Sequence, residues 1–451
     1  MMSIRTLKHA TSDEGMSLIE VMVALMVFAV IALGVGASSL TILRMTEDTR
    51  SRQVASNLAT SELDAVRGLP DPFKVTNVPV REVVVSGITY TVTRLTSWVD
   101  TSGADIGCGS GNGLLKSKRV NVEVRWVGML STTSPVRSDT LISPENRIND
   151  PSLGTIRVSV LNSGGTGFSG ATVTITPQGS TGAVLDEQPA PTDSDGCSFA
   201  LKVTPGSYTV SISRAGGVST THATSSSTAV TVAAGGSVGA AFQYDLASTY
   251  SLNYANNYAG PAPKFPIDLN TTYFASLGSY IETGRKAQTS LFPSTSGYVG
   301  IAGNYVAPVA GTAGCISVDP LSWSQGTVAG VALADGARPA PVAAKPNTTY
   351  SMGIPMGVLT VKSTGVGTLT AVSATPPSGL GDPGCASPMT YSFGQVLING
   401  STTIALPFGS WTLSSTNSSG TKSAITGANV AVNTRGSVTA NTVTLDPRLP
   451  R

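Results

Sequence analysis

One carboxylate, Glu20, stands alone in an otherwise uncharged run from Met16 to Leu43. Placing such a charge in a bilayer costs roughly 2.5–3.5 kcal/mol, so a Glu there is a candidate for function rather than for stability. The plainer alternative is a side chain near the interface that reaches back to water. The four cysteines, Cys108, Cys197, Cys315 and Cys385, are widely spaced and form no CxxC pair, and the only histidines are His9 and His222. That inventory argues against zinc or haem held by Cys and His. Asp193-Ser194-Asp195-Gly196 opens like a calcium loop, but the position that should carry the closing Glu is Thr204, so the EF-hand pattern fails. His222 lies in a Ser/Thr-rich stretch with no visible triad partners, and no phosphate-binding glycine pattern links a strand to a helix. The expectation is a protein that is not an enzyme, with no cofactor and no metal.

The elements around Glu20 matter more than any catalytic grouping. Residues 1–15 are polar and include Arg5 and Lys8. The apolar run that follows makes a helix of roughly 42 Å, enough to cross a hydrocarbon core of roughly 30 Å. Beyond it, Ala55, Leu58, Ala59, Leu63 and Val66 recur at steps of three and four, which predicts an amphipathic continuation. Gly68 and Pro70 should end it. Charged residues are only 12% of the chain and aromatics 6%, with 49 glycines, a balance that favours strands and tight turns for the remainder. A net charge of +2 offers no basic footprint for nucleic acid.

Gly15-Met16-Ser17-Leu18-Ile19-Glu20 before a long apolar helix resembles the processing signal of type IV prepilins and type II secretion pseudopilins. The resemblance implies cleavage by a prepilin peptidase after Gly15, methylation of the new amine at Met16, and a subunit-docking role for Glu20. The family usually has Phe at the first mature position, and Met16 departs from that. It also implies a single-pass protein of the bacterial cytoplasmic membrane, with its body outside and other pilins as partners through the helix. Cleavage at Gly15 frees an ammonium at a helix N-terminus, an unfavourable end for positive charge. Glu20 of a neighbouring subunit could neutralise it, and such a pair penalises wrong registers more than it stabilises. The rival is an ordinary signal peptide, with Val21–Leu33 as its apolar region and small residues at Gly34–Ser38 for cleavage; Glu20 has no advantage there.

The expected fold is α+β and then all-β: a long transmembrane and stalk helix on a small antiparallel sheet, followed by tandem β-sandwiches. Residues 16–69 form the pilin helix, of which 16–43 is the membrane part, and residues 70–150 the small sheet. Its strands are predicted at Val78–Val85, Ile88–Val99 and Arg119–Val127, rich in Val, Thr and Ile, with Cys108 in the glycine-rich loop Gly103–Gly113. This layout is similar to the type IV pilus modification protein subclass of minor pilins. Pro144–Pro151 reads as a linker. Residues 152–245 resemble the carboxypeptidase regulatory-like β-sandwich through Gly170–Ile175, Thr192–Gly196 and Pro205–Val210. Gly206-Ser207-Tyr208-Thr209-Val210 recurs as Gly409-Ser410-Trp411-Thr412-Leu413, and Val230…Gly236-Ser237-Val238 as Val430…Gly436-Ser437-Val438. Both recurrences lie about 200 residues apart and predict a second sandwich in 348–451.

Between the sandwiches, residues 246–347 hold Tyr250, Tyr254, Tyr258, Tyr273, Tyr280, Tyr298 and Tyr305. Tyrosines beside asparagines suit a contact surface for a partner or glycan; packing within sheets explains them too and is favoured. Cys315 and Cys385 each follow a Gly in turn-rich segments, and an oxidising compartment favours a bridge between them, leaving Cys108 and Cys197 as a second pair; four free thiols are the alternative. The functional expectation is a minor pilin-like component of a type IV pilus or related filament, with an enlarged body for display or adhesion. A pseudopilin of a type II secretion system and a membrane-anchored surface-binding protein are the alternatives.

Overall fold

The computed structural model describes residues 17–450 except 70, 101, 107, 109–114, 130–132, 145–149, 309–313, 364 and 397–399. A single helix, α1 (Leu18–Arg67), runs for 50 residues, about 75 Å at the helical rise. No proline interrupts it, and in its apolar stretch the hydroxyls are spent internally. Ser38, Ser39 and Thr41 donate to the carbonyls of Gly34, Val35 and Ala37, at 2.9, 2.9 and 3.0 Å. That back-bonding lets polar side chains sit in an apolar stretch without seeking water. The amides of Gly68 and Leu69 close the last turn on the carbonyls of Asp64 and Val66.

Two compact units follow from the contacts: one holds α1 and the first sheet, the other the described residues from 150 on, together with Cys108. The first sheet comprises β1 (Val78–Val85), β2 (Ile88–Val99), β3 (Asp105–Ile106), β4 (Ser117–Trp126) and β5 (Val136–Ile142). Its order is β1-β2-β4-β5, with β3 on β2, antiparallel throughout. Ser86 and Gly87, at φ 52° and 82°, make the two-residue hairpin turn whose twist matches the strands. In β4, Val120, Val122 and Val124 are fully buried while Asn121, Glu123 and Arg125 face outward. The buried set meets Ala55, Ala59, Leu63 and Val66 of α1, so the helical stripe and the strand alternation make one core.

In the second unit, β6 (Gly154–Leu161), β7 (Thr172–Pro177), β8 (Cys197–Val203), β9 (Gly206–Ser213), β10 (Gly217–Ser219), β11 (Ser225–Val232) and β12 (Ser237–Leu246) form two sheets. Their orders are β10-β12-β6-β8 and β11-β9-β7. Val158, Val160, Val173, Ile175, Val210 and Tyr244 fill the space between them, which makes a sandwich.

Beyond residue 247 one apolar cluster runs from Tyr250 to Leu445. The Tyr-rich stretch and the last sandwich expected after it therefore share a core. Ser248–Tyr254 pairs in parallel with Thr349–Ile354 across that expected boundary. The repeat is real locally: Tyr208 donates its hydroxyl to the Thr204 carbonyl at 2.7 Å, and Trp411 its indole N–H to the Pro407 carbonyl at 3.0 Å. Each aromatic is buried and locks the turn four residues behind it. The strand partners differ, however. Val230 lies opposite Tyr208, whereas Val430 lies opposite Val361.

Five Asp-Pro pairs share one device. Oδ1 of Asp71, Asp150, Asp319, Asp382 and Asp446 accepts the amide two residues on, at 2.8–3.1 Å. Proline sets the turn and the carboxylate stands in for a backbone acceptor. Asp446 also takes Arg448, 1% exposed, through two bonds of 3.0 and 2.7 Å, and Arg448 in turn donates to the carbonyls of Ser324 and Leu380.

Candidate functional site

Ser17 caps α1 with its backbone: its carbonyl accepts the amides of Glu20 and Val21, at 2.9 and 3.2 Å. Glu20 therefore lies in the first turn, where the helix dipole favours a carboxylate. It shares an open face with Ile19, Val23, Ala24, Val27 and Ile31. The side chains from Leu18 to Thr46 are all exposed, and among the described residues the Glu20 carboxylate has no partner. The helix contains a window long and apolar enough to cross a membrane, none of it buried against the rest of the chain. Gly15 and Met16 lie outside the described residues.

Further along, the same helix is seated. From Ser51 onward every third or fourth residue is buried, and a second Glu appears on that seam. Glu62 is 8% exposed; its Oε1 takes Arg94 Nη1 at 2.8 Å and its Oε2 takes Arg81 Nη2 at 2.5 Å. Arg94 also donates Nε to the Thr76 carbonyl at 2.9 Å. A buried charge is tolerable only when paired and hydrogen-bonded. This cluster was not anticipated from the sequence, although Glu62 falls on the Ala55, Ala59, Val66 stripe and a charge on an apolar stripe demands a partner. Arg52 and Arg67 add outer ties to the Ser134 carbonyl and the Thr140 hydroxyl.

The cysteines are paired as Cys108–Cys197 and Cys315–Cys385. Cys315 is backed by Val299, Ile301 and Val318. The tyrosines do not gather on a surface. Tyr250, Tyr254, Tyr273 and Tyr298 are buried, and their hydroxyls bond the Val342 carbonyl, Thr271, Glu282 and the Phe292 carbonyl. Burial pushes the Tyr298 hydroxyl up to about 12 and raises Tyr250 and Tyr273 as well. These four rings are core, so packing within sheets, the favoured reading, accounts for them and the contact-surface alternative loses its central residues. Asp193 spends Oδ1 on the amides of Asp195 and Cys197. Among the described residues no group of three or more His, Cys, Asp or Glu could hold a metal.

Comparison with known proteins singles out the N-terminus. The prokaryotic N-terminal methylation motif matches residues 11–36, a span that contains Gly15, Met16 and Glu20. No curated protein matches. Among solved structures, the TIE protein of Bacillus anthracis is 10% identical, with a TM-score of 0.19, over 80% of this chain and 66% of that one. A streptococcal ancillary pilin is 10% identical, TM-score 0.18, over 61% and 94%. BcpA, the major pilin subunit of Bacillus cereus, is 10% identical, TM-score 0.18, over 65% and 95%. No shared fold follows from scores this low. The chain thus carries a prepilin-type N-terminal methylation motif, followed by a β-rich body.

Proposed function

We propose that this chain is a minor pilin-like component of a type IV pilus or related filament. Prepilin peptidase cuts after Gly15, Met16 becomes the methylated N-terminus, and residues 16–43 hold the protein in the cytoplasmic membrane until assembly. The body lies on the extracytoplasmic side. The observation that carries this reading is the methylation motif on a helix whose first half is uncovered by its own chain and whose second half is seated on the small sheet. An apolar helix face of this length needs lipid first and neighbouring helices afterwards. Glu20, in the first turn and without a partner among the described residues, then meets the ammonium of an adjacent subunit and sets the stagger between them. The mass of the body beyond the small sheet favours a minor over a major subunit, since such a bulk on every subunit would crowd a close-packed filament.

The test is incorporation. Glu20→Ala should insert into the membrane as well as the parent, because a costly charge has been removed. It should be depleted at least tenfold from sheared filaments. Equal amounts of variant and parent in those filaments would refute the docking role.

A further inference from the structure

His222 lies in the connection between β10 and β11, which crosses from one sheet of the first sandwich to the other. The connection is organised by its own bonds: the His222 amide reaches the Ser219 carbonyl at 2.9 Å, and the Ser219 amide reaches the Ala223 carbonyl at 2.9 Å. His222 itself takes φ +64°, a left-handed conformation uncommon outside Gly and Asn but one that His visits more than most. That backbone turns the imidazole out of its own sandwich and into the Tyr-rich layer. There Nδ1 accepts the Phe292 amide at 3.1 Å. The ring meets Tyr280 and Tyr298 edge-on, with centroids 4.6 and 5.7 Å away. The Phe292 carbonyl is already taken by the Tyr298 hydroxyl at 2.9 Å, so both backbone groups of Phe292 are spoken for in this one cluster.

We propose that His222 is an acid-sensitive fastener: its neutral ring holds the β10–β11 connection against the Tyr-rich layer, and protonation releases it. A nitrogen that accepts an N–H bond cannot carry a proton, so protonation at Nδ1 turns an acceptor into a donor facing a donor. The groups facing the ring offer no compensation. They are the phenols Tyr280 and Tyr298, with Tyr250 behind the latter at 5.8 Å, and all three are held neutral by pKa values raised through burial. Glu282 acts on Tyr280, not on the imidazole. Burial alone lowers the His222 pKa, from 6.5 to about 4.

The direction of the effect follows from linkage. The folded pKa lies below that of the free side chain, so the contact is at full strength above the free value. It weakens as pH falls, because the opened form takes up the proton first. Between pH 7 and pH 5 the opening equilibrium should rise about twentyfold.

The experiment is hydrogen exchange on the full-length protein in detergent micelles at pH 7, 6 and 5, corrected for intrinsic exchange rates. Protection of the Phe292 amide and of residues 219–225 should fall about twentyfold from pH 7 to pH 5, while the amides of β9 stay protected. His222→Gln should abolish that pH dependence. Constant protection across the range in the parent, or the same fall in the variant, would overturn the proposal. Should the variant misfold, the ring proton resonances of the parent decide: a midpoint near 4 supports the fastener, and one near 6.5 overturns it.

Discussion

The two halves of α1 carry one glutamate each on an apolar face, and the chain treats them in opposite ways. Glu62 is enclosed by Arg94 and Arg81 on the sheet beneath it, and the residues around it, Ala55, Ala59 and Val66, have no exposed surface. Glu20 stands among Ile19 and Val23, 70% and 56% exposed, and has no partner among the described residues. The lower half is complete by itself. The upper half is a surface that the described residues do not cover, with a charge that none of them answers. Placing two such halves on one continuous helix costs stability unless a second environment exists, which is the physical content of a prepilin-type N-terminus.

The sharpest way to break this contrast is to remove the answer to Glu62. Arg94→Ala leaves a buried carboxylate with only the half-exposed Arg81, and should destabilise the first unit by about 3–5 kcal/mol, the usual cost of breaking a buried pair. Urea unfolding followed by the fluorescence of Trp98 and Trp126 would measure it. A loss below about 1 kcal/mol would mean that the pair is no more than a surface bridge. Next comes packing. Ala59→Leu adds bulk where nothing is exposed and should cost about 1–3 kcal/mol. Ala24→Leu, the matched change on the open half, should move the same transition by less than about 0.5 kcal/mol. Equal effects of the two substitutions would erase the distinction between the halves.

Much of this arrangement is legible in the sequence because its signals are local. β1 and β2 match their expected spans, since runs of Val, Ile and Thr are separated by the Ser86-Gly87 turn. β4 begins two residues earlier than expected. Lys118 reads as a loop residue, yet it is 3% exposed with its ammonium over the Trp98 ring. The repeated Gly-Ser-aromatic segments form the same corner, because each aromatic bonds a carbonyl only four residues away. The second sandwich expected from the repeat does not inherit the first one's strand partners, which depend on contacts such as Val430 with Val361 that no local pattern encodes. The parallel pairing of Thr249 with Thr349 is equally remote in sequence. At the candidate site, Glu20 is conspicuous because its neighbours are all apolar. Glu62 hides among Ser61, Asp64 and Arg67, and only its position on the stripe betrays it. The Asp-Pro turns are marked in the sequence by a dipeptide, because proline sets the turn and the carboxylate before it supplies the acceptor.

The measurement that bears most directly on the account is the mass of the protein's N-terminal peptide, taken from membranes of cells with an active prepilin peptidase. The account predicts a chain that begins at Met16, lacks residues 1–15 and carries one added methyl group on its amine. A chain that begins at Ser38, or one that still carries residues 1–15, would contradict it.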